Sequence, residues 1–156
     1  RVFDPAITVE DLDWLRGAWP GTLTVKGIQS TEDASMVVNH GADGVILSTH
    51  GGRQLERPPL PFHLLPEVRA AIGDEATVLI DGGVMSGADI VAAVCRGADA
   101  VAVGRAYLYG LMAGGEAGVQ RVVDLLREEL ITTMQLLGRT SIDQLGPDCL
   151  RVPAQP

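Results

Sequence analysis

Cysteine is scarce in this chain and poorly placed for metal: Cys95 and Cys149 are the only two, with no CxxC and no metal-ligand spacing. No metal centre is expected, and a reducing cytosol is the expected compartment. Cys95 falls on an apolar helical face, where a buried free thiol is common. Positive charge is also in deficit. Lys plus Arg total 12 against 20 Asp plus Glu, a net charge of −8, which repels nucleic acid and anionic membrane surfaces. No nucleic-acid partner is expected. Nor does any apolar run reach the roughly 18 residues that span a bilayer. The opening Arg1-Val2-Phe3-Asp4 lacks the charged-then-apolar pattern of a signal peptide, and the missing initiator Met leads us to expect a processed or truncated start.

What is present is the composition of a soluble globular protein, 46% hydrophobic and 21% charged, at a length that suits one domain. Thr8 is a candidate N-cap for a helix with acids in its first turn and with Leu12 and Leu15 on one face. Leu23-Thr24-Val25 follows as a strand, Ser30 to Asn39 as a helix, and Gly44-Val45-Ile46-Leu47 as a second strand. The alternation continues with a helix over Phe62 to Ile72, a strand Thr77-Val78-Leu79-Ile80, a helix from Gly87 to Arg96 and a strand Ala100-Val101-Ala102-Val103. A long amphipathic helix, Gly118 to Leu137, ends the pattern. Short, continuously apolar strands are expected when both faces lie beneath crossover helices. The predicted fold is α/β with four parallel strands.

One internal repeat supports that parse. Gly41-Ala42-Asp43-Gly44-Val45-Ile46 recurs as Gly97-Ala98-Asp99-Ala100-Val101-Ala102, each time leaving a helix and entering a strand. Repeated βα units suit a (β/α)₈ barrel or a doubly wound sheet, and a full barrel needs about 250 residues. This chain has about half of one.

Glycine and polar residues cluster just after each strand: Lys26-Gly27, Ser48-Thr49-His50-Gly51-Gly52-Arg53, Asp81-Gly82-Gly83 and Gly104-Arg105. In α/β barrels that rim gathers ligands and catalytic groups. A lone Gly-Gly merely permits a tight turn. Two such turns on consecutive strands, one of them followed by Arg105, instead point to a phosphate site made of backbone N–H groups and a guanidinium. His50 beside Arg53 suits a carboxylate-bearing substrate, with Arg53 gripping the acid and His50 taking a proton. A loop histidine taken alone is more often a surface residue. His40, at a helix C-terminus, and His63, early in the next helix, lack this framing. Lys26 closes the first strand, where it either stabilises a developing anion or snorkels at the surface. Its partners decide between the two.

In order and spacing, Val25-Lys26-Gly27-Ile28, Ser48-Thr49-His50-Gly51-Gly52-Arg53-Gln54-Leu55, Asp81-Gly82-Gly83-Val84 and Gly104-Arg105-Ala106-Tyr107-Leu108-Tyr109-Gly110 resemble the FMN-dependent α-hydroxy-acid oxidases and dehydrogenases. The likeness runs from Asp4 to Leu145. It implies the C-terminal half of a TIM (β/α)₈ barrel, strands five to eight with their helices, and FMN as cofactor. It further implies that His50 is the catalytic base for a small L-2-hydroxy acid, with lactate first, and that Arg53 binds the substrate carboxylate. By the same resemblance Lys26 stabilises reduced flavin, Thr24 and Ser48 touch the cofactor, and Asp81, Gly82, Gly83, Gly104 and Arg105 line its phosphate and ribitol site.

The sequence departs from the family pattern at two places. Met85 stands where an arginine usually follows Asp-Gly-Gly-Val, and the lost charge-assisted contact is worth roughly 1.5–3 kcal/mol of FMN binding. Thr49 stands where asparagine is common, beside the base it would orient. The family's first four strands supply further flavin contacts, substrate tyrosines and an aspartate that orients the histidine. An N-terminal half is therefore an expected partner, Arg1 is expected to mark a proteolytic nick or a cloning boundary, and a homotetramer is the expected assembly. Without that half, two strand edges and an apolar layer would be open. The competing reading is a noncatalytic half-barrel with an incomplete flavin site. Another phosphate-binding barrel enzyme would share the glycine turns but not His-Gly-Gly-Arg-Gln.

Overall fold

The computed structural model describes residues 6–151, so Arg1-Val2-Phe3-Asp4 and the boundary at Arg1 lie outside the described residues. Helix α1 spans Val9–Ala18 behind Thr8, whose backbone N–H donates to Asp11 Oδ2 at 2.8 Å. Strand β1 (Thr24–Ile28) leads to α2 (Thr31–Asn39) and β2 (Gly44–Leu47), and a short 3-10 turn covers His50–Gly52. Next come α3 (Pro61–Ile72), β3 (Thr77–Asp81), α4 (Gly87–Cys95) and β4 (Ala100–Ala102). The ends of α2 and α4 are set by Ser30 and Ser86, which accept from the Asp33 and Asp89 amides and satisfy otherwise unpaired N–H groups. Among the described residues no helix is long and apolar enough to cross a membrane.

All four strands are parallel, in the order β1-β2-β3-β4. The helices cover one face only, which corrects the expectation that both faces lie under helices. Val45, Leu47, Val78 and Ile80 point to that face and are buried with Ala34, Val37, Leu65, Val68 and Ile72 from α2 and α3. The alternate positions, Thr24, Lys26, Ile46, Thr77, Leu79 and Ala100, lie on the other face and stay exposed or half-buried. Side chains alternate across a strand, so one apolar run serves both a helix-covered layer and a barrel interior. The outer edges of β1 and β4 are unpaired among the described residues.

The last helix, α5, spans Arg105–Leu136 and is broken at Gly114 and Gly115. It therefore starts well before the predicted Gly118, because the glycines between Gly110 and Gly118 interrupt the periodicity that marks a helix. Those glycines let its two arms cross. A Cβ on Gly110 would lie 2.5 Å from the Gly118 carbonyl oxygen, a distance no side chain tolerates. The second arm packs on α4, where Glu129 Oε2 accepts the Gly87 N–H at 2.8 Å.

The repeated Gly-Ala-Asp segment is a repeated clamp at the N-terminal ends of the strands. Asp43 Oδ2 accepts the Leu23 amide at 2.8 Å and Arg16 Nη1 at 2.9 Å, while Arg16 also donates to the carbonyls of Gly41, Trp19 and Gly21. One repeat later, Asp99 Oδ2 accepts the Val78 amide at 2.7 Å and pairs with Arg69, which also reaches the carbonyls of Gly97, Gly73 and Ala76. Glycine is required in both copies. A Cβ at Gly41 or Gly97 would sit 2.8 or 3.1 Å from the arginine stem, and both backbones have positive φ.

Candidate active site

The opposite, C-terminal ends of the strands carry the site. At the end of β1 the register slips: Lys26 pairs with Ile46 and Ile28 with Leu47, so Gly27 is an extra residue in a β-bulge. Its φ of 100° is available to glycine at little cost. The bulge returns Ile28 to the core while leaving Lys26 on the open face. It also lets an imidazole approach, since a Cβ on Gly27 would lie 2.9 Å from His50 Cε1.

Lys26 is no free surface lysine. Its Nζ donates to Ser48 Oγ at 2.9 Å and pairs with Asp81 Oδ2, which joins the ends of β1, β2 and β3. Ser48 is fully buried and its Oγ also accepts the His50 amide at 3.0 Å, while Gln29 Nε2 donates to its carbonyl at 3.3 Å. His50 itself has a φ of 51°, followed by Gly51 at 70° and Gly52 at 79°. A left-handed histidine costs on the order of 1–3 kcal/mol. The Ser48 hydroxyl on its amide helps hold it there. The ring makes no hydrogen bond among the described residues, and buried Thr49 precedes it with its side chain near Gly82.

A cleft of about 380 Å³ opens between these strand ends, lined by His50, Gly51, Asp81, Gly82, Gly83, Val84, Met85, Gly104, Arg105 and Leu108. Six predicted site residues thus meet on one cavity. Lys26 and Ser48 do not line it but are bonded to residues that do, Lys26 to Asp81 and Ser48 to the His50 amide. Thr24 shares the open sheet face with Lys26, and both border a different cleft, beside α1. Arg53 also stands outside, on an exposed loop, tied to His50 only by its amide donating to the His50 carbonyl at 3.4 Å. Gly51, Val84 and Leu108 also line the cavity without having been predicted site residues, and Met85 lies there at the position expected of a phosphate-binding arginine. Their proximity to strand-end glycines was the available signal.

The glycine turns fit a phosphate. Gly82 and Gly83 have φ of 87° and 90°, and a Cβ on Gly83 or Gly104 would enter open space. The helix starts beside them differ in the same sense. Asp89 accepts the Met85 and Ser86 amides and Glu129 takes the Gly87 amide, so the start of α4 is closed by acids. No side chain caps the start of α5, where Arg105 carries a guanidinium without a side-chain partner among the described residues. Free N–H groups, a cation and a cavity without steric obstruction are what an anionic group needs. Met85, 47% exposed at the mouth, leaves Arg105 as the one cation among the described residues lining this cleft.

A one-sided parallel sheet with its chemistry gathered at the strand C-termini defines half of a TIM barrel built around a phosphate-bearing cofactor. The family described as FMN-dependent dehydrogenase matches residues 1–152. A Mycobacterium tuberculosis protein (strain ATCC 25618 / H37Rv), named provisionally as an L-lactate dehydrogenase, is 57% identical over 146 residues, 94% of this chain and 35% of that protein. The L-lactate dehydrogenase of Allorhizobium ampelinum is 45% identical over 148 residues, covering 95% and 39%. Among solved structures, a soluble mutant of the membrane-associated (S)-mandelate dehydrogenase from Pseudomonas putida superposes with a TM-score of 0.92 at 46% identity, over 97% of this chain and 43% of that one. The chain belongs to the FMN-dependent dehydrogenase family and corresponds to the C-terminal half of its barrel. It spans about two-fifths of the length of the relatives it matches.

Proposed function

We propose that this chain supplies the catalytic base and most of the phosphate-facing rim of an enzyme oxidising a small L-2-hydroxy acid, with L-lactate first, to the 2-oxo acid. The observation that carries the reading is the single cleft shared by His50, Asp81 and the Gly82, Gly83 and Gly104 turns. FMN, when bound, accepts the electron pair that leaves the hydroxy-acid carbon. Gly82, Gly83, Gly104 and Arg105 would hold its phosphate and ribitol, and Lys26, kept in place by Ser48 and Asp81, would supply positive charge to stabilise the reduced flavin. Thr24 would meet the cofactor from the open sheet face, and Ser48, fully buried, would act on it through Lys26.

His50 takes the substrate proton. Its imidazole is unpaired among the described residues and accessible, as a base requires. Arg53, whose side chain has no partner among the described residues, is free to turn toward a carboxylate and grip it with two N–H groups. On this reading four further βα units cover the open sheet face and the edges of β1 and β4, and residues 1–156 form one half-domain of the closed barrel. A cytosolic homotetramer is the proposed assembly and place.

The test is the visible spectrum of the closed barrel, this chain joined to the N-terminal half that completes it. Bound flavin that bleaches when L-lactate is added without oxygen supports the reading, and bleaching by glycolate or mandelate instead reassigns the substrate. A second reading, a noncatalytic half-barrel, is favoured by Met85 in place of a phosphate-binding cation. Protein that retains no flavin, or flavin that no 2-hydroxy acid bleaches, would establish it.

A further inference from the structure

We propose that Cys95 and Cys149 form a reversible oxidation site, closing to a disulfide on exposure to hydroperoxide and fastening the C-terminal turn to α4. The two residues are distant in sequence, yet Cys149 packs against the buried cluster of Val91, Cys95 and Met134. Cys95 ends α4 and is 1% exposed, whereas Cys149 ends the short turn Pro147–Cys149 and is half-buried. Solvent therefore meets Cys149 first.

Two contacts aim the Cys149 sulfur. Arg139 Nε donates to it at 3.3 Å, and the Arg139 guanidinium is anchored on the other side by Asp148. The Cys149 sulfur in turn lies 3.9 Å from the Gln144 carbonyl oxygen. Burial, and then its contact with Cys149, push the Cys95 thiol up, which leaves the more exposed Cys149 as the sulfur that an oxidant meets first. An outer sulfur beside a guanidinium with a buried inner thiol behind it is the arrangement of an attacking and a resolving cysteine.

The chemistry closes with hydrogen peroxide as the oxidant. The Cys149 sulfur attacks one peroxide oxygen, the S–O bond forms, the O–O bond breaks, and the departing oxygen leaves as water after taking the thiol proton. The Cys95 sulfur then attacks the Cys149 sulfur. The S–S bond forms, the S–O bond breaks, and the hydroxyl leaves as a second water with the Cys95 proton. Two electrons pass from the thiol pair to the peroxide. In a reducing compartment such a bond is transient and reports oxidant.

The experiment treats the purified protein with equimolar hydrogen peroxide, alkylates free thiols and digests with trypsin. A peptide containing Cys95 joined to one containing Cys149, released by dithiothreitol, is the expected product. The bridged protein should unfold roughly 5–10 °C higher than the reduced form, because the bond closes a long loop. Cys149→Ser should lose both the joined peptide and the peroxide-dependent shift while keeping the unfolding temperature of the reduced protein. Cys149 carried to sulfinic acid with Cys95 still alkylated, or a bridged protein with no thermal shift, would overturn the proposal.

Discussion

The two ends of the sheet are built on opposite principles. At the N-terminal ends, Arg16 and Arg69 are spent on carbonyls and on Asp43 and Asp99, so each cation is satisfied within the chain. At the C-terminal ends, Arg53 and Arg105 have no side-chain partner among the described residues, glycines face open space, and His50 adopts a strained backbone. Apart from Lys26, which pairs with Asp81 and Ser48 at the rim, charge is paired internally at the structural end and left available to a ligand at the other. The same residue type therefore has different work at each end.

Substitutions at the two ends sharpen that contrast, and the largest effect belongs at the catalytic rim. His50→Gln should slow flavin reduction by about 10²–10⁴-fold, the usual yield of a positioned base, with flavin still bound and the unfolding temperature unchanged; anaerobic stopped-flow and thermal melts read both. Arg69→Met should do the reverse. Loss of its charged hydrogen bonds should cost about 2–4 kcal/mol in urea unfolding without altering FMN affinity. Equal damage to stability from both variants would erase the distinction between the ends.

A smaller change is expected at the phosphate. Arg105→Met should weaken FMN binding roughly 10- to 100-fold, the equivalent of one charge-assisted contact, and Met85→Arg should tighten it by a similar factor; fluorescence titration of apoprotein measures each. If Met85→Arg left affinity unchanged, a cation from outside this chain would already serve the phosphate. The smallest effect is at the clamp in acid. The Leu23 amide, and next Arg16, hold the Asp43 carboxyl below its usual value of 3.8. The unfolded chain takes up that proton at higher pH than the folded one, so the contribution of Asp43 is full above about pH 3.8 and fades as pH falls through the lowered value. Asp43→Asn should flatten this part of the stability curve below pH 4.

Much of the fold was legible in local pattern. β2, β3, β4 and the helices before β4 fall where apolar periodicity and caps place them, because those signals are carried by neighbours in sequence, whereas β1 runs on to Ile28, so that Lys26 and Gly27, expected just after the strand, lie within it. Two features were not. The first arm of α5 was hidden by Gly110, Gly114 and Gly115, which mask helical periodicity but permit a close helix crossing. The bulge at Gly27 leaves no trace in a motif that reads Lys-Gly-Ile. Asp43 and Asp99 were visible as a repeat, yet their arginines lie 27 and 30 residues away, beyond any local rule. At the site, residue types at strand ends were readable. The lysine's partners, Ser48 and Asp81, came only with register.

The sequence alone determined the chemistry on offer: a histidine and two arginines at strand ends, glycine turns in the right order, and alternating elements that build a parallel sheet. Residue type and short-range spacing suffice for that. Tertiary structure decided which of these groups share a cavity, which arginines are consumed as struts, which sheet face stays open, and that two distant thiols meet. Those outcomes depend on strand register and helix crossing, which set distances between residues far apart along the chain.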